Sequence, residues 1–523
     1  MIQPDLIDIF REFPLTIYTP IPNLKITGIA SDSRQVKPGN LFVALSGGTT
    51  DGHQYIPDAL SRGASVVLGT QPLTGLTVPY IRVIDSRQSL AHLAAGYYGF
   101  PARQLTVVGV TGTDGKTTTV NLIYSILKAS GIHVGMISTV NAVFGDRILD
   151  TGFHVTTPDA PDVQYYLAQM VDAGISHVVL EATSHGLAQY RVDACEFDVG
   201  VVTNITHEHL DYHGTYEFYR AAKARLFTSL EQTHVKSAGN PRAAVLNRDD
   251  ISYEYLSSVT TVRKITYGFH TDSDVRPESI NQQQGNTQFD ACSKNYLIRI
   301  VTRLFGDYNV SNCLAAIAAT VDCMGINTDA ARKGIAEMSD VPGRMERMDL
   351  GQDFIAIVDF AHTPNALRCS LVAVRKMMET QKKSGRMIAV FGSAGLRDRA
   401  KRRMMAEVST ELADLTILTA EDPRTESLDA ILSDMASGAI SRGGVEGLTF
   451  WRVQDRGEAL RFAVSLARPG DLVIACGKGH EQSMCFGEIE YPWDDRIALG
   501  VALAEHLGIS GPAMPYLPTR KSV

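Results

Sequence analysis

Apolar runs that lead into glycine-rich or polar loops recur along most of this chain. The clearest case is the run 105–110, which passes through the loop 111–115 into a segment with apolar residues at helical spacing. This order predicts a buried strand, a tight loop and an amphipathic helix. Two later apolar runs, 177–180 and 199–202, also end in polar segments and predict two more strands of the same sheet.

The alternation of strands and helices between residues 105 and 341 favours a mainly parallel sheet, because helical crossovers connect parallel strands. Ligands bind such sheets at the carboxyl ends of the strands. The polar, irregular stretch 233–303 interrupts the alternation and predicts an antiparallel excursion. An alanine-rich helix follows it, and Asn309 and Asn312 either cap this helix or meet a nucleotide base.

Two further units flank this central region. Residues 1–100 predict a small α/β unit with helices at 5–10 and 90–98 and strands at 41–45 and 65–68. Beyond residue 342, buried strands that each end in a polar or glycine-bearing loop predict a Rossmann-like sheet, with strands at 354–358, 387–391, 415–418 and 472–475. No G-x-G-x-x-G sequence follows these strands, so a dinucleotide cofactor is not expected.

We therefore expect an α/β protein of three domains. These are a small N-terminal α/β domain at 1–102, a central domain with a phosphate-loop (P-loop) mononucleotide-binding sheet at 103–342, and a C-terminal Rossmann-like domain at 343–523. The length of 523 residues agrees with this division, since one hydrophobic core rarely serves more than about 250–300 residues.

Charge and cysteine usage narrow the possible partners. The formal net charge of −8 argues against bulk nucleic-acid binding, which normally requires a basic surface. The N-terminal stretch has acids where a signal peptide needs a basic start, and no uncharged apolar run approaches membrane-spanning length, so we expect a cytoplasmic protein that contacts no membrane. The seven cysteines are scattered and form no C-x-x-C pair, so neither a disulfide framework nor a zinc ribbon is indicated.

The segment T-G-T-D-G-K-T-T after the first central strand carries the strongest chemical signal. Backbone N–H groups around Gly112 and Gly115 can turn towards one anion at the positive end of the helix dipole. Lys116 can reach the outer phosphates of a nucleotide, and Thr117 or Thr118 can offer a hydroxyl to a magnesium ion. The sequence therefore favours nucleotide binding over an ordinary loop before a helix.

Two positions depart from what this loop chemistry favours. The general phosphate-loop pattern has a glycine where this chain has Val110. Asp114 places a carboxylate beside the expected phosphates, which is electrostatically unfavourable. We expect the Asp114 side chain to turn away from the phosphates and cap the helix.

Acidic and imidazole side chains lie close to two other strand ends. Glu181 directly follows the strand 177–180, and His209 and Asp211 follow the strand 199–202. Lys223 lies on the next predicted helix, where a solvated helix lysine is the simpler interpretation. A carboxylate and an imidazole beside a phosphate loop are ligands that nucleotide-bound magnesium would need.

Two groups of polar residues each allow a second interpretation. His207, His209 and His213 suggest a zinc site, since imidazole suits that metal, or they are ordinary hydrogen-bonding histidines. The segment 31–56 contains hydroxyls, a basic pair and a G-G-T-T turn. This composition suits a polar anionic ligand, although an ordinary surface loop would also have it.

With these residues assembled, the chain closely resembles the Mur ligase family, and within it the MurE type, the UDP-N-acetylmuramoyl-tripeptide synthetases. The resemblance implies an ATP-dependent amide ligase of peptidoglycan precursor synthesis that works through an acyl phosphate. The γ-phosphate of ATP would pass to the free carboxylate of D-glutamate in UDP-MurNAc-L-Ala-D-Glu, and the amine of a diamino acid would then displace phosphate. The motifs that carry the resemblance occur in the family's order: DSRQVKPGNLFVAL, TGTDGKTTT, TTPD, HGLAQYRV, HLDYHGTYEFYRAAKARLF, NVSN, GRME, DFAHTP, DPR and GKGHE.

The resemblance also implies a role for residues of the ATP site. Lys116, His209 and Lys223 would be catalytic. Two magnesium ions would be held by Thr117, Glu181, His209 and Lys223, with Lys223 converted to a carbamate. ATP, the cosubstrate, would be bound by Gly112, Thr113, Asp114, Gly115, Lys116, Thr117, Thr118, Asn312, Arg344, Asp359 and His362.

Substrate contacts are implied in the same way, over all three domains, and closure of the domains on substrate is expected. The UDP-MurNAc-dipeptide would be bound by Ser31, Ser33, Gly48, Thr49, Thr50, Thr156, Thr157, Thr183, Gln189 and Arg191. The added amino acid would be bound by Arg397, Glu421, Asp422, Pro423, Arg424, Gly477 and Glu481.

The identity of the diamino acid stays open at this point. Members that add meso-diaminopimelate typically carry D-N-P-R, whose arginine pairs with the distal carboxylate, whereas this chain has Glu421-Asp422-Pro423-Arg424. Arg424 still offers a bidentate fork to a carboxylate, which favours diaminopimelate. Asp422 is an acid where that subgroup has an amide, and it would suit the distal ammonium of lysine or ornithine.

Two other functions are compatible with parts of the chain. Another amide ligase of the superfamily, of the folylpolyglutamate or cyanophycin type, would share the phosphate loop but not the N-terminal DSRQVKPG segment or HGLAQYRV. A nucleotide switch would use the phosphate loop but would leave the DPR and GKGHE loops without a role. We expect a monomer without nucleic-acid partners.

Overall fold

The computed structural model describes residues 3–47, 50–138, 141–145, 147–150, 157–283, 286–338, 341–380 and 385–519. Three of the predicted substrate-binding residues, Gly48, Thr49 and Thr156, lie outside the described residues. Among the residues that are described, no helix combines the length and the apolar character needed to cross a membrane.

The N-terminal part of the chain forms a four-stranded parallel sheet in the order β1-β2-β3-β4. The strands predicted at 41–45 and 65–68 are confirmed to within two residues, whereas β1 and β4 are three residues each and too short to show a period. The last helix begins four residues earlier than expected because the Asp85 side chain caps it, accepting from the N–H groups of Arg87 and Gln88. The elements are α1 Leu6–Ile9, β1 Gly28–Ala30, β2 Asn40–Val43, α2 Ile56–Ser61, β3 Val66–Gly69, β4 Tyr80–Arg82 and α3 Ser86–Tyr97.

The central part is built on an eight-stranded sheet in the order β12-β11-β10-β5-β9-β6-β7-β8. The strands from β12 to β6 in this order are parallel, and only β7 and β8 run antiparallel, so the expected mainly parallel sheet is confirmed. Its strands are β5 Thr106–Thr111, β6 Val134–Ile137, β7 Asn141–Phe144, β8 Arg147–Asp150, β9 His177–Glu181, β10 Val199–Val202, β11 Ala243–Asn247 and β12 Arg263–Tyr267.

Helices cover both faces of this sheet, so each face has its own apolar core. One core packs α4, α10 and α11 against the sheet, and the other packs α5 and α8 against it. A π-helical stretch, Ala318–Cys323, continues α10. The helices are α4 Lys116–Ala129, α5 Ala160–Asp172, α6 Ser184–Ala188, α7 Leu210–His213, α8 Tyr216–Ser229, α9 Tyr253–Val259, α10 Asp307–Ile317 and α11 Thr328–Glu337.

The antiparallel excursion is shorter than the sequence predicts. A three-stranded antiparallel sheet of β13 Arg276–Gln283, β14 Asn286–Cys292 and β15 Leu297–Thr302 is present, but β11 and β12 belong to the parallel central sheet. The expectation for 233–275 was therefore wrong. The strand β11 is five residues long and fully buried. So short an apolar run between polar segments is hard to recognise as a strand in the sequence.

The two asparagines at the alanine-rich helix do not cap it, so that interpretation was wrong. The helix α10 begins earlier, with Gly306 at its N-cap position, and both asparagines lie buried inside it. Asn309 donates to the carbonyl of Phe305, and Asn312 donates to the side-chain oxygen of Asn309. The remaining oxygen of Asn312 accepts from Thr119 of α4, so this helix packs directly against the phosphate loop.

The C-terminal part contains a six-stranded sheet in the order β16-β17-β21-β18-β19-β20, in which only β16 is antiparallel. All four strands predicted here are confirmed to within one residue, and the expected Rossmann-like order of strands and helices is confirmed with them. The exact domain boundaries at 102 and 342 stay predictions. The elements are β16 Glu346–Met348, β17 Ile355–Asp359, α12 Pro364–Thr380, β18 Met387–Phe391, α13 Ala400–Leu412, β19 Leu415–Leu418, α14 Leu428–Ser441, β20 Phe450–Arg452, α15 Arg456–Leu466, β21 Leu472–Cys476, β22 Ser483–Phe486, β23 Ile489–Pro492 and α16 Asp495–Leu507.

A buried ion pair lies beside the start of β5, the first strand of the central sheet. The ammonium of Lys236 lies 2.5 Å from a carboxylate oxygen of Asp198 and also donates to the carbonyls of Leu105 and Glu196, at 2.8 Å each. The same Asp198 accepts from the backbone N–H of Val107 in β5. The pair is almost wholly shielded from solvent, so each charge depends on the other.

We expect Lys236→Met to destabilise the protein by about 3–5 kcal/mol, because it leaves the Asp198 carboxylate buried without its counter-charge. Urea unfolding followed by far-ultraviolet circular dichroism measures the change. The matched control is Lys294→Met, which removes an exposed lysine and should shift the midpoint little. Equal midpoints for the two variants would contradict the assignment.

Candidate active site

The phosphate loop approaches the end of the neighbouring strand β10 very closely. Gly112 has a φ of +148°, and a Cβ atom there would lie 1.8 Å from the hydroxyl oxygen of Thr203. Gly115 has a φ of +81° and begins α4, and a Cβ atom there would lie 2.5 Å from the side-chain oxygen of Asn312. Both positions require glycine for conformation and for space, whereas Val110 is an ordinary buried strand residue.

The N–H groups of this segment divide into two sets. The N–H of Thr113 donates to the carbonyl of Asn204, and the N–H of Asp114 donates to the side-chain oxygen of Asn204. The first backbone bond of α4 runs from Thr119 to Gly115, so the N–H groups of residues 116–118 find no backbone acceptor among the described residues. These three groups, at the positive end of a 14-residue helix, form a candidate anion site.

Lys116 carries one of these three N–H groups, and its side chain folds back onto the loop. Its ammonium donates to the carbonyl of Thr113 at 2.8 Å. The enclosed position lowers the pKa of Lys116, and the nearby Glu181 and Asp114 carboxylates partly oppose that effect. An incoming polyphosphate would restore full charge to the ammonium, because it brings negative charge close to it.

Glu181 and Thr117 meet at the mouth of the same loop. Glu181 ends β9 and pairs in register with Val110 of β5, which brings its carboxylate to the start of α4. The hydroxyl of Thr117 donates to this carboxylate at 2.9 Å, and the guanidinium of Arg344 lies 3.4 Å from the same hydroxyl. The carboxylate, the hydroxyl and the cation thus come from three separate segments of the chain.

Lys223 is buried, so the interpretation as a solvated helix lysine was wrong. It projects from α8, its side chain is 1% exposed, and its amine donates to the carbonyl of Gly112 at 2.5 Å. Burial, with the nearby charge of Lys116, lowers the pKa of Lys223 well below its usual value. The lowered pKa favours the uncharged amine, which is the nucleophilic form of a lysine.

The histidines do not assemble into a zinc site. His207 bonds to Asp398 of the C-terminal part at 2.9 Å, away from the other two rings. Within the described part of the chain, no three histidine, cysteine, aspartate or glutamate side chains are placed to hold a metal. His209 instead packs its ring 4.7 Å from that of His185, and burial lowers the pKa of His209 strongly, so its imidazole stays neutral.

Asp114 does not cap α4, so that prediction was wrong. The N-cap position belongs to Gly115, which has no side chain to use. The Asp114 carboxylate does turn away from the anion site, but it reaches across to the C-terminal part. There it accepts from the amide of Asn365 at 3.1 Å and from the hydroxyl of Thr363 at 3.4 Å.

The other predicted ATP residues of the C-terminal part stand close by. Arg344 stacks on the ring of Phe360 at 4.2 Å, and burial lowers its pKa, partly opposed by Asp359. Asp359 itself accepts from the N–H groups of Met345 and Ala361, so its carboxylate holds the segment that carries Arg344. Burial and the nearby charge of Lys401 keep the pKa of His362 well below its usual value.

The predicted amino-acid-binding residues converge beyond this point. Gly477 lies against Glu421, since a Cβ at Gly477 would be 2.4 Å from a Glu421 carboxylate oxygen. That oxygen is buried and has no hydrogen-bond partner among the described residues. Burial raises the pKa of Glu421 to about 7, although Lys401 opposes the shift. Pro423 is also buried here, between Asp422 and Arg424.

Asp422 has a partner that the sequence analysis missed. Lys478, from the GKGHE motif, lies 3.0 Å and 3.1 Å from the two carboxylate oxygens of Asp422 and 2.5 Å from Glu481. Burial alone would lower the pKa of Lys478, but Glu481 and Asp422 outweigh it and raise the pKa. Arg424 is half-buried, and no hydrogen bond or ion pair to another described residue holds its guanidinium.

Three contacts join residues 397–401, which include the start of α13, to the segment 207–211. Arg397 lies 3.6 Å from Asp211, Asp398 bonds to His207, and Lys401 lies 3.5 Å from Glu208, with both members of this last pair buried. Neither Lys401 nor Glu208 stood out in the sequence, because a lysine and a glutamate far apart in the chain give no local signal. The contacts bring Arg397 towards the phosphate loop.

Four of the residues predicted to bind the UDP-MurNAc-dipeptide, Thr157, Thr183, Gln189 and Arg191, form one cluster. The hydroxyls of Thr157 and Thr183 lie 2.9 Å apart, and Arg191 donates to the carbonyl of Thr157 at 2.6 Å and to the side chain of Gln189 at 2.8 Å. Glu181 is two residues from Thr183, so the cluster adjoins the phosphate loop. Of the predicted uridine diphosphate residues that are described, Ser31 follows β1, Ser33 lies buried in a 3₁₀ turn, and Thr50 is exposed.

Known protein families and relatives match most of this chain. Family models match at residues 25–98 (Mur ligase family, catalytic domain), 110–320 (Mur ligase middle domain) and 343–479 (Mur ligase, glutamate ligase domain). The chain is 42% identical over 503 residues to the UDP-N-acetylmuramyl-tripeptide synthetase of Roseiflexus sp. (strain RS-1), covering 94% of this chain and 97% of that protein. The chain therefore belongs to the Mur ligase family, whose members are ATP-dependent ligases.

Two further relatives agree with this assignment. The UDP-N-acetylmuramoyl-L-alanyl-D-glutamate–2,6-diaminopimelate ligase of Geobacillus thermodenitrificans (strain NG80-2) is 40% identical over 483 residues, covering 92% of this chain and 96% of that protein. A solved structure of a ligase with the same name superposes with a TM-score of 0.65 at 28% identity, covering 97% of this chain and 100% of the other.

The buried Glu421 makes stability depend on pH. Its pKa is raised from 4.5 to about 7, so folding favours the protonated acid. This contribution is fully present below pH 4.5 and is lost as the pH rises through about 7. Between pH 4.5 and pH 8 the wild type should lose on the order of 3 kcal/mol in free energy of unfolding through this group, and Glu421→Gln should not show that loss. Urea midpoints at the two pH values measure the difference. The exposed Glu488→Gln is the control, and an unchanged pH slope in Glu421→Gln would contradict the assignment.

Proposed function

We propose that this protein joins a diamino acid to UDP-MurNAc-L-Ala-D-Glu, with ATP converted to ADP and phosphate. The observation that carries the proposal is the set of three N–H groups of residues 116–118 that have no backbone acceptor among the described residues. Glu181 connects them to the dipeptide cluster, because its carboxylate accepts from Thr117 and its carbonyl accepts from Thr157. The names of the two curated relatives, a tripeptide synthetase and a diaminopimelate ligase, support the same reaction.

The chain's own groups account for the activation step. The N–H groups of residues 116–118 and the ammonium of Lys116 hold the phosphates and spread the charge that develops on the transferring phosphoryl group. The hydroxyl and guanidinium groups of Thr157, Thr183 and Arg191 would orient the substrate carboxylate towards that group. The acyl phosphate has to be protected from water, which the docked C-terminal part does by covering the loop.

The residues at the mouth of the loop also fit magnesium. Glu181 and the Thr117 hydroxyl are oxygen donors of the kind that magnesium prefers, and the neutral imidazole of His209 would add a nitrogen donor. Addition of carbon dioxide to the Lys223 amine, with loss of a proton, would form a carbamate that adds an anionic oxygen at a second site. Magnesium there would neutralise charge between the triphosphate and the substrate carboxylate. Two sites, held by Thr117, Glu181, His209 and carbamylated Lys223, are our proposal.

The amino-acid pocket favours an acceptor with a distal carboxylate. Lys478, which Asp422 shares with Glu481, offsets part of the charge of Asp422, so that acid is less available to a distal ammonium. Arg424, whose guanidinium has no partner among the described residues, remains as the charge at this position. We therefore propose meso-diaminopimelate as the acceptor rather than lysine or ornithine.

A product assay tests both the reaction and the acceptor. The purified protein is given ATP, magnesium and UDP-MurNAc-L-Ala-D-Glu with diaminopimelate, lysine or ornithine, and the product is weighed by mass spectrometry. We expect the diaminopimelate adduct, and Arg424→Ala should lower kcat/KM for diaminopimelate roughly 100-fold, since a charge-assisted bidentate contact is lost.

Arg303→Ala, at an exposed position away from the site, is the matched control and should leave kcat/KM unchanged. A lysine or ornithine product would overturn the choice of acceptor and keep the ligase assignment. Absence of any amide product with all three amino acids would overturn the proposed function itself.

The role proposed for Lys223 has its own test. Lys223→Ala should lower kcat at least about 100-fold, because it removes a group that stabilises developing charge, and added short carboxylates should restore part of the activity. Lys128→Ala, an exposed lysine near the end of α4, serves as the control. Full activity of Lys223→Ala without added carboxylate would remove the carbamate from the proposal.

Two remaining features follow from the proposed reaction. ATP and a nucleotide-linked precursor are small molecules of the cell interior, so we expect the protein to act in the cytoplasm. We also expect a monomer to be sufficient for activity. The mass in solution, measured by light scattering during turnover, tests this.

A further inference from the structure

The unexpected contact of Asp114 leads to an inference about control of the ATP site. The residue is fixed firmly on the central side. Its N–H donates to the side chain of Asn204 at 3.0 Å, and its carbonyl accepts from the hydroxyl of Thr203 at 2.6 Å and from Asn204 at 3.1 Å. Thr203 and Asn204, which follow β10, therefore fix the backbone of Asp114 and with it the position of its carboxylate.

The partner of this carboxylate is fixed just as firmly on the C-terminal side. The hydroxyl of Thr363 accepts from the N–H of Ala366, so Thr363 caps α12, and Asn365 lies in the first turn. The same helix is anchored in the C-terminal core by Leu367 and Leu371, both fully buried. The Asp114 carboxylate thus meets an amide, a hydroxyl and the positive end of a 17-residue helix.

Separation of the two parts would change the surroundings of this carboxylate. Asp114 precedes the open N–H groups of residues 116–118 by two residues, so an unpartnered carboxylate there would repel bound phosphates. When α12 docks, the amide of Asn365 and the helix end compensate that charge. ATP should consequently bind the docked form better, and by linkage ATP should favour docking to the same degree.

We propose that Asp114 and Asn365 are positioning residues that make ATP binding depend on the docking of α12. The pair acts through the phosphate loop and touches neither reacting atom. This inference rests on the ATP site of the proposed function but not on the identity of either substrate. It also gives a reason for the aspartate in the loop, where a carboxylate would otherwise only weaken phosphate binding.

A reciprocal exchange tests the pair. Asn365→Asp places two carboxylates opposite each other and should weaken ATP binding and raise the KM for ATP roughly tenfold. The double variant Asp114→Asn/Asn365→Asp restores one amide and one carboxylate, now with the acid at the helix end, and should return to within about threefold of the wild type. The KM for the amino acid should change much less in both variants.

Two readouts separate this role from a simple loss of stability. Calorimetry gives the dissociation constant of a non-hydrolysable ATP analogue, and small-angle scattering with and without the analogue reports whether ATP still favours the docked form. Asn327→Asp is the matched control, because it adds an acid at the N-cap of α11, away from the loop. It should leave both readouts unchanged.

The outcomes are distinct. Rescue of ATP binding in the double variant supports the pair. An Asn365→Asp protein with normal ATP binding, or a double variant as impaired as the single one, overturns it. If Asn365→Asp does not fold, Asn365→Ala is measured instead, and unchanged ATP-dependent docking in that variant overturns the proposal. Since neither readout needs the muramoyl substrate or the amino acid, failure of the pair is distinguishable from failure of the proposed function.

Discussion

The architecture of the site depends on how closely the phosphate loop approaches the end of strand β10. There is no room for a side chain at Gly112, because Thr203 fills the space that a Cβ would need. The close approach lets Asn204 take the N–H groups of Thr113 and Asp114, and lets Lys223 take the carbonyl of Gly112. With those polar groups satisfied, the loop presents the N–H groups at the start of α4 to a ligand.

Charge in the site is divided between the central and C-terminal parts. The central part contributes the charges of Lys116 and Glu181, and the C-terminal part contributes those of Arg344 and Lys401. Several of these groups are buried, where an unpaired charge is costly, so the arrangement is stable only while the two parts stay in contact.

The fold was largely predictable, since buried runs alternate with amphipathic helices and each strand end is marked by polar or glycine residues. The site was predictable where chemistry is concentrated in a short segment, as in Gly112 to Thr118. The prediction failed for Asp114, because a carboxylate near a helix start suggests a cap. Nothing in the sequence reveals that its partner is Asn365, 251 positions away. Nor does the sequence reveal that Lys478, 56 positions further along, lies 3.0 Å from the Asp422 carboxylate.

By itself the sequence determined the local conformations: the glycines that only a tight loop needs, the periods of strands and helices, and the order of motifs shared with the Mur ligases. The tertiary structure decided which charged groups are free to meet a ligand. Lys223, Asp114 and Asp422 each looked available in the sequence, yet Lys223 is buried against Gly112, and the two acids are paired across long stretches of chain. Availability depends on burial and on partners brought together by folding, and neither is a property of local sequence.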